Sequence, residues 1–275
     1  MIQSLPPEIG ELKRLQYIDL RNNQLKELPP EIANWEMLEI LSLGGNKLEE
    51  LPEEIGGLEN LLTLYINRNK LETLPANIGN LTNLTELDIS ENVRFKEFPS
   101  EFVQLRKLIK LSAGDNSLRD LPENFYRLRD LTDLNLRGNL FDSIDETLSS
   151  LPHLEILNLA ANRFVEFPEP IAEITSLTSL NLSDNKLKTL PSSIQKLKNL
   201  EDFILYGNRI ETLPPETGNM ENLRKLDLYG NKLEKLPDNI SKASRLREID
   251  LRENDFDKSR QNELKRILGG AVVRL

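Results

Sequence analysis

The residue types that most often perform catalysis are scarce in this sequence. Its 275 residues include no cysteine and one histidine, His153. Thiolate nucleophiles, disulfides and histidine clusters for a metal are therefore excluded. The 13 glycines never take the spacing of a phosphate-binding loop, and no carboxylate pair stands out as a buried acid with a raised pKa. The sequence predicts no enzymatic activity, no metal and no cofactor.

The charge balance restricts the partners that the chain can bind. There are 35 Lys and Arg residues against 45 Asp and Glu residues, which gives a formal net charge of −10. Nucleic acids and anionic membranes attract basic surfaces, so neither is expected as the main partner. No apolar run approaches the ~18 residues that a membrane-spanning helix needs. We expect a monomeric chain that binds a protein and does not insert into a membrane.

The whole sequence is built on one repeat. Asparagine recurs at residues 23, 46, 69, 92, 116, 139, 162, 185, 208, 231 and 254. Nine of these ten intervals are 23 residues long and one is 24. The first half of a repeat is illustrated by residues 38–48, LEILSLGGNKL, and the second half by residues 51–58, LPEEIGGL. Such regularity predicts stacked structural units rather than an ordinary globular core.

Each half of the repeat has a physical interpretation. Leucines that alternate with polar residues are typical of a strand with one buried face. Strands that recur every 23 residues should run in one direction and pair in parallel. The asparagine should end each strand in a turn, where its amide can bond unpaired backbone groups. The proline of the second half favours extended or short 3-10 backbone. No unit can bury its leucines alone, so stacking must supply the core.

This motif resembles that of the leucine-rich repeat family, and the resemblance covers residues 2–256. The 23-residue form is similar to intracellular Ras-group leucine-rich repeat proteins and to many bacterial ones. The resemblance implies an α/β solenoid, a horseshoe with a parallel β-sheet on its concave face and extended or 3-10 segments on its convex face. It also implies that the concave face binds another protein. We expect about 11 repeats over residues 1–256 and a capping helix and strand over residues 257–275.

Several departures from the repeat predict local features. The longer fourth repeat, with its extra residue near 91–95, should bulge in the turn that leaves the strand. Trp35 occupies an apolar position and is expected in the core, while Thr217 stands where isoleucine is usual.

The two ends of the chain differ in pattern. Residues 1–12 match the second half of a repeat with no cap before them, so we expect a piece of a longer protein and leave secreted, surface and cytoplasmic locations open. A helix over 259–268, capped by Asp257 or Ser259, should bury Leu264, Ile267 and Leu268 on one face. A final strand is expected over 271–275.

The residues between the buried leucines should form three outward columns on the sheet. In repeats 9 and 10 these columns bring an isoleucine and two tyrosines together among charged residues, which resembles a binding hot spot. The predicted partner-binding residues are Tyr65, Ile204, Tyr206, Asp227, Tyr229 and Arg252. The alternative is that tyrosine is merely tolerated at this position. A second candidate binding site is the acidic cluster Glu86, Asp88 and Glu91, which could meet a basic partner. The alternative is that this cluster is a solvated strand edge.

Several functions remain compatible with these observations. The uniform repeats and the lack of an attached signalling domain favour a bacterial secreted or surface protein that engages host molecules. The alternatives are an intracellular signalling scaffold, the targeting domain of a larger protein, and a structural stack that self-associates through its N-terminal end.

Overall fold

The computed structural model describes residues 1–268 and 270–275, which form two compact units, residues 1–140 and 141–275. Both units are assembled from the same repeated pair of elements. A three-residue strand leads into a turn, and a short 3-10 segment then returns the chain to the next strand. The predicted α/β repeat architecture is confirmed, with parallel strands, 3-10 segments between them and one helix near the C-terminus.

The strands of each unit pair in parallel and follow one another in sequence order. Those of the first unit are β1 (Tyr17–Asp19), β2 (Ile40–Ser42), β3 (Thr63–Tyr65), β4 (Glu86–Asp88), β5 (Lys110–Ser112) and β6 (Asp133–Asn135). Those of the second are β7 (Ile156–Asn158), β8 (Ser179–Asn181), β9 (Asp202–Ile204), β10 (Lys225–Asp227), β11 (Glu248–Asp250) and β12 (Val272–Arg274). The register advances by one repeat at a time, so that equivalent residues are neighbours, as in the pairing of Leu41 with Leu64.

The 3-10 segments occupy the Leu-Pro half of each repeat, as predicted. In the first unit they are Pro7–Glu11, Pro30–Asn34, Glu53–Gly57, Ala76–Asn80, Ser100–Gln104 and Phe125–Arg127. In the second they are Glu146–Ser150, Glu169–Glu173, Ser192–Lys196, Pro215–Asn219 and Ile240–Lys242. A proline with extended backbone usually precedes the segment, such as Pro52 with φ −69° and ψ 152°. The proline ring holds φ near this value, which defines where the short 3-10 turn begins.

The core of each unit lies between its strands and its 3-10 segments. The central residue of a strand points inward while its neighbours point outward, as Leu64 does between Thr63 and Tyr65. Most of the repeated leucines have no exposed surface at all. Full burial of such a side chain contributes about 1.5–3 kcal/mol. Trp35 is also fully buried, as predicted, and its indole N–H donates to the Ile9 carbonyl oxygen at 2.9 Å.

The repeated asparagines form a hydrogen-bonded ladder inside each unit. Asn208 is typical, since its Oδ1 accepts a hydrogen bond from the Leu187 N–H at 3.0 Å. Its Nδ2 donates to the carbonyl oxygens of Leu182 and Leu205 at 2.9 and 3.0 Å. One amide therefore pairs backbone groups of two consecutive repeats that the turn would otherwise leave unpaired in the interior.

A left-handed residue precedes every ladder asparagine. Its φ is positive at residues 22, 45, 68, 91, 115, 138, 161, 184, 207, 230 and 253. Only four of these residues are glycine, and the others include Arg68 and Ala161 at φ 56° and 54°. A non-glycine residue in this conformation costs about 1–2 kcal/mol. The bonds of the adjacent asparagine overcome this cost, because they fix the turn from both sides.

The extra residue of the fourth repeat lies in the turn after its strand, as predicted. Val93 and Arg94 form an exposed turn, and the Phe95 N–H donates to the Asn92 carbonyl oxygen at 2.7 Å. The ladder shifts in response, because Asn116 Oδ1 accepts from the N–H of Asn92 itself at 2.8 Å.

The C-terminal elements differ in detail from the prediction. Helix α1 spans Lys258–Ile267, so it begins one residue before the predicted start at residue 259. Its N-terminus is capped by the Asp257 carboxylate. Leu264 and Leu268 are buried, but the prediction for Ile267 was wrong, since 37% of its surface is exposed. Strand β12 is shorter than the predicted range 271–275, because only residues 272–274 pair with β11.

Replacing a ladder asparagine should be among the most damaging single changes. The substitution Asn208→Ala leaves a buried N–H and two buried carbonyl groups without their side-chain partner. At roughly 1–3 kcal/mol for each group, we expect a loss of about 3 kcal/mol or more in the free energy of unfolding, measured by urea denaturation. The control is Asn199→Ala, whose exposed amide makes one bond, to the Thr175 carbonyl oxygen. Equal losses for the two variants would contradict the role assigned to the ladder.

A second substitution should stabilise the protein. Thr217 is completely buried, and its hydroxyl has no hydrogen-bond partner in the structure. The change Thr217→Val keeps the shape and removes the unpaired polar group, so the free energy of unfolding should rise by about 1 kcal/mol. Thr73→Val, at a hydroxyl that lies 3.3 Å from the Leu74 carbonyl oxygen, should give no gain. A Thr217→Val protein that is less stable than wild type in thermal denaturation would refute this account.

Candidate functional site

The exposed side of the strands carries most of the candidate residues. We call this side the strand face and define it as the first and third residues of each strand together with the residue two positions further on. Seven of the third-position residues are Asp or Asn whose Oδ1 accepts the backbone N–H two residues later. They are Asp19, Asp88, Asn135, Asn158, Asn181, Asp227 and Asp250. These side chains support the end of the strand, which gives them a structural role.

Two candidate residues depart from this structural pattern. Tyr65 and Ile204 occupy the same third position of β3 and β9. Isoleucine has no acceptor, and the tyrosine hydroxyl lies at the far end of its ring, so neither side chain supports the strand in this way. At both positions the chain presents an aromatic or apolar group to the surface instead. The repeat itself does not explain these two residues.

The candidate residues of the second unit form one patch, which we call the tyrosine patch: Ile204, Tyr206, Asp227, Tyr229 and Arg252. Ile204 pairs in register with Asp227, and each tyrosine follows two residues later on its own repeat. Ile204 and Tyr206 are half-buried, while 41% of the Tyr229 surface is exposed. The Arg252 guanidinium lies over the Tyr229 ring, 5.5 Å from its centroid.

The carboxylates of Asp227 and Asp250, at the tyrosine patch, have different environments. Arg252 makes two hydrogen bonds to the Asp250 carboxylate, at 3.0 and 2.6 Å. Burial raises the pKa of Asp250, but the hydrogen bonds from Arg252 outweigh it and hold that pKa below its ordinary value. At Asp227 burial dominates, and it raises the pKa although the Tyr229 N–H donates to the carboxylate. The two neighbouring aspartates therefore differ in how readily they hold a charge.

The sixth predicted residue, Tyr65, lies in the first unit and has different neighbours. Its register partner on β4 is Asp88, and Glu86 lies on the same strand. Burial raises the pKa of the Tyr65 hydroxyl, and the charge of the Glu86 carboxylate and the hydrogen bond that the hydroxyl donates to it raise this pKa further. Tyr65 therefore belongs with the acidic candidate cluster, whereas the other five residues lie in the second unit.

The acidic cluster is largely neutralised by its own neighbours. Glu86 lies 3.6 Å from the Lys110 ammonium, and Glu91 lies 2.8 Å from the guanidinium of Arg68. Asp88 accepts hydrogen bonds from the backbone and hydroxyl of Ser90 at 2.9 and 2.5 Å. Exposed pairs of this kind contribute at most about 1 kcal/mol. The cluster offers a partner less unbalanced charge than the sequence suggested.

Sequence reasoning missed a depression beside Tyr65. It has a volume of about 380 Å³, and its lining includes Arg21, Gly44, Arg68 and Asp88. A Cβ at Gly44 would lie 2.5 Å from the side-chain oxygen of Asn67, so a larger residue there would have to displace the Asn67 amide. The signal in the sequence was a glycine within an outward column. Its meaning depended on the packing of the next repeat.

These units of strand, turn and 3-10 segment, stacked around an asparagine ladder, define a repeat protein of the α/β solenoid class. A family model described as a leucine-rich repeat region matches residues 3–89 and 142–271, and a second, described as a leucine rich repeat, matches residues 114–164. The chain belongs to the leucine-rich repeat family. Proteins of this family are generally interaction modules rather than enzymes, and their fold binds protein partners.

Solved structures extend this comparison. A leucine-rich repeat protein from Leptospira interrogans is 32% identical with a TM-score of 0.71, covering 100% of this chain and 81% of that one. The ectodomain of the Arabidopsis thaliana receptor kinase GASSHO1/SCHENGEN3, in complex with CASPARIAN STRIP INTEGRITY FACTOR 2, is 31% identical with a TM-score of 0.68. The match covers 92% of this chain but 34% of that ectodomain.

An internalin from Listeria monocytogenes shares the fold at 21% identity, with a TM-score of 0.74, and the match covers 97% of this chain and 82% of that one. No curated protein matches the sequence closely enough to count as a relative. Within residues 1–268 and 270–275, no helix has the length and apolar character to cross a membrane, and no group of His, Asp and Glu side chains could hold a metal ion.

The environment of Tyr65 can be tested by titration. Its hydroxyl should lose its proton above the ordinary pKa of 10.0, because burial and the Glu86 carboxylate both oppose a phenolate. Glu86→Gln removes one of these effects and should bring the pKa part of the way back, as measured by NMR of ring-labelled tyrosine. Glu91→Gln, at a carboxylate paired with Arg68, is the control and should leave the titration unchanged. An unchanged Tyr65 titration in the Glu86 variant would show that this contact is absent in solution.

Proposed function

We propose that this chain is a non-enzymatic module that binds a partner protein on its strand face, with the tyrosine patch at the centre of the contact. The observation that carries the proposal is the departure of the patch from the needs of the repeat. Ile204 replaces a strand-supporting Asx residue, and Tyr229 is a large exposed aromatic side chain. The fold requires neither of them at those positions.

The composition of the tyrosine patch fits the energetics of protein recognition. Tyrosine and arginine are enriched among the few residues that contribute most of the free energy of binding. Tyrosine buries a large area at a low cost in side-chain entropy, and its hydroxyl can still bond at the rim. The salt bridge of Arg252 to Asp250 holds that arginine in place, which lowers the entropy lost when a partner binds.

The related structures support a protein partner and a bacterial setting. The Arabidopsis ectodomain is described in complex with a factor, and it shares 31% of its residues with this chain over the matched region. The Leptospira protein matches the full length of this chain at 32% identity. We propose a bacterial secreted or surface protein that engages host molecules, as the uniform repeats also suggest.

Affinity capture with a patch variant tests this function. The variant Ile204→Glu/Tyr206→Ala/Tyr229→Ala removes the apolar and aromatic groups of the patch and leaves the buried leucines intact. A host protein captured by the wild type should bind this variant at least about tenfold more weakly, because loss of several hot-spot residues costs more than 1.4 kcal/mol. Biolayer interferometry with the purified partner gives the two dissociation constants.

The matched control removes exposed apolar groups away from the strand face. Met37→Ala/Val93→Ala/Val165→Ala changes three such side chains, all of them at least 47% exposed. This control should bind the partner like the wild type, and circular dichroism should show that both variants are folded. Equal affinity of the wild type and the patch variant would reject the strand face of the second unit as the binding surface.

A further inference from the structure

The strand face of the second unit carries carboxylates of two kinds. Glu248 and Asp250 are neutralised within the chain, since they lie 2.9 and 2.6 Å from the guanidinium groups of Arg274 and Arg252. Asp202 and Asp227, on the adjacent strands β9 and β10, form no ion pair within the described residues. Lys225 lies in register with Asp202 and partly offsets these two charges, and the negative charge that remains on this face lies inside the tyrosine patch and next to it.

Asp227 is the more constrained of these two aspartates. It is half-buried between Ile204 on one side and Asp250 on the other, in register with both. Within residues 1–268 and 270–275 its one hydrogen bond comes from the backbone N–H of Tyr229 at 3.1 Å, which leaves most of the acceptor capacity of the carboxylate unused. Burial raises the pKa of Asp227, so the free protein holds this negative charge at a cost that a nearby cation would offset.

The two tyrosine rings beside Asp227 differ in whether a cation of the chain already contacts them. The Tyr229 ring already contacts the guanidinium of Arg252, which is the equivalent residue of the next repeat. At the equivalent position next to Tyr206 the chain has Tyr229 instead of an arginine. In the part of the chain that the structure describes, no cation lies over the Tyr206 ring. The patch thus contains one satisfied cation–π contact and, one repeat away, a similar ring that lacks one.

From this geometry we infer that the tyrosine patch receives a basic side chain of the partner protein, a lysine or an arginine, with its charge at the Asp227 carboxylate and its stem against Tyr206 and Ile204. The inference rests on the proposed function and specifies the chemistry of the partner. The long aliphatic stem of either basic residue packs on apolar groups while its charged head reaches an acceptor.

Other side chains fit the patch less well. A neutral residue would cover Asp227 and remove its remaining water without replacing the lost hydrogen bonds, at a cost of about 1–3 kcal/mol. An acidic residue would meet Asp202 and Asp227 together. A basic residue gains from the partial burial of Asp227, because Coulomb attraction is stronger where water is excluded.

NMR titration of the full chain tests this inference without the partner. The probes are Nα-acetyl-lysine methylamide, its arginine counterpart and, as an uncharged control of similar length, the norleucine counterpart. The two basic probes should shift the backbone amide signals of Ile204, Tyr206 and Tyr229 with millimolar dissociation constants, and the norleucine probe should not.

Two variants make the titration specific. Asp227→Asn removes the charge but keeps an acceptor for the Tyr229 N–H, because Asn158 and Asn181 already make this bond in their repeats. It should weaken the basic probes at least about fivefold. Asp133→Asn, at a half-buried aspartate of the first unit whose pKa is also raised by burial, should leave the shifts at the patch unchanged.

The affinity for the basic probes should also fall as the solution becomes acidic. The carboxylate must be ionised to hold a cation, and its pKa in the free protein is raised, so binding is present at neutral pH and is lost as the pH falls through that pKa. The charged or titratable groups that face Asp227 are Asp202 on β9, Lys225 and Tyr229 on or after β10, and Glu248, Asp250 and Arg252 on or after β11. In Asp227→Asn the part of this pH dependence that comes from Asp227 should disappear.

The inference is overturned if the basic probes give no shifts at the patch, if norleucine shifts the same signals equally, or if Asp227→Asn binds like the wild type. These failures are distinct from failure of the proposed function. A captured partner that is lost by the triple patch variant but retained by Asp227→Asn would uphold the binding surface and reject the basic side chain. A partner lost by both variants supports both proposals.

Discussion

The side-chain amide of one asparagine in each repeat is the interaction on which the rest of the structure depends. The turn after each strand leaves backbone N–H and carbonyl groups inside the protein, where no water can pair them. A single carboxamide carries both a donor and an acceptor, and it is short enough to reach two repeats at once, as Asn208 does. The bonds of each asparagine also hold the residue before it, such as Ala161, in a left-handed conformation that is unfavourable for a non-glycine residue.

This constraint separates the residues that maintain the fold from those that are free to vary. Leucines fill the core, asparagines close the turns, and Asx residues such as Asn181 support the strand ends from outside. The remaining outward positions have little influence on stability, so their residue types can be selected for recognition. Ile204 and Tyr65 become informative for this reason, because each occupies a position where most repeats keep a supporting side chain.

The sequence predicted the strands, the 3-10 segments, the ladder and the burial of Trp35, because the buried positions of a stacked repeat recur at a fixed spacing and keep similar residue types. It could not predict that Glu86 and Glu91 are paired with Lys110 and Arg68, since such pairs depend on rotamers rather than on spacing. The half-burial of Asp227 was likewise not visible, because neighbouring repeats create it. The exposure of Ile267 depends on how helix α1 packs, which the helical period alone does not determine.

The ladder also has a consequence for how such a protein can change its length during evolution. The side-chain bonds of a ladder asparagine such as Asn208 are made within its own repeat or to the one before it. Duplicating or deleting one 23-residue segment would therefore give each remaining asparagine an equivalent set of partners. The fourth repeat, where Asn116 bonds the N–H of Asn92, is a poor place for such an exchange. Unequal recombination elsewhere could lengthen or shorten the strand face in whole repeats without exposing the core.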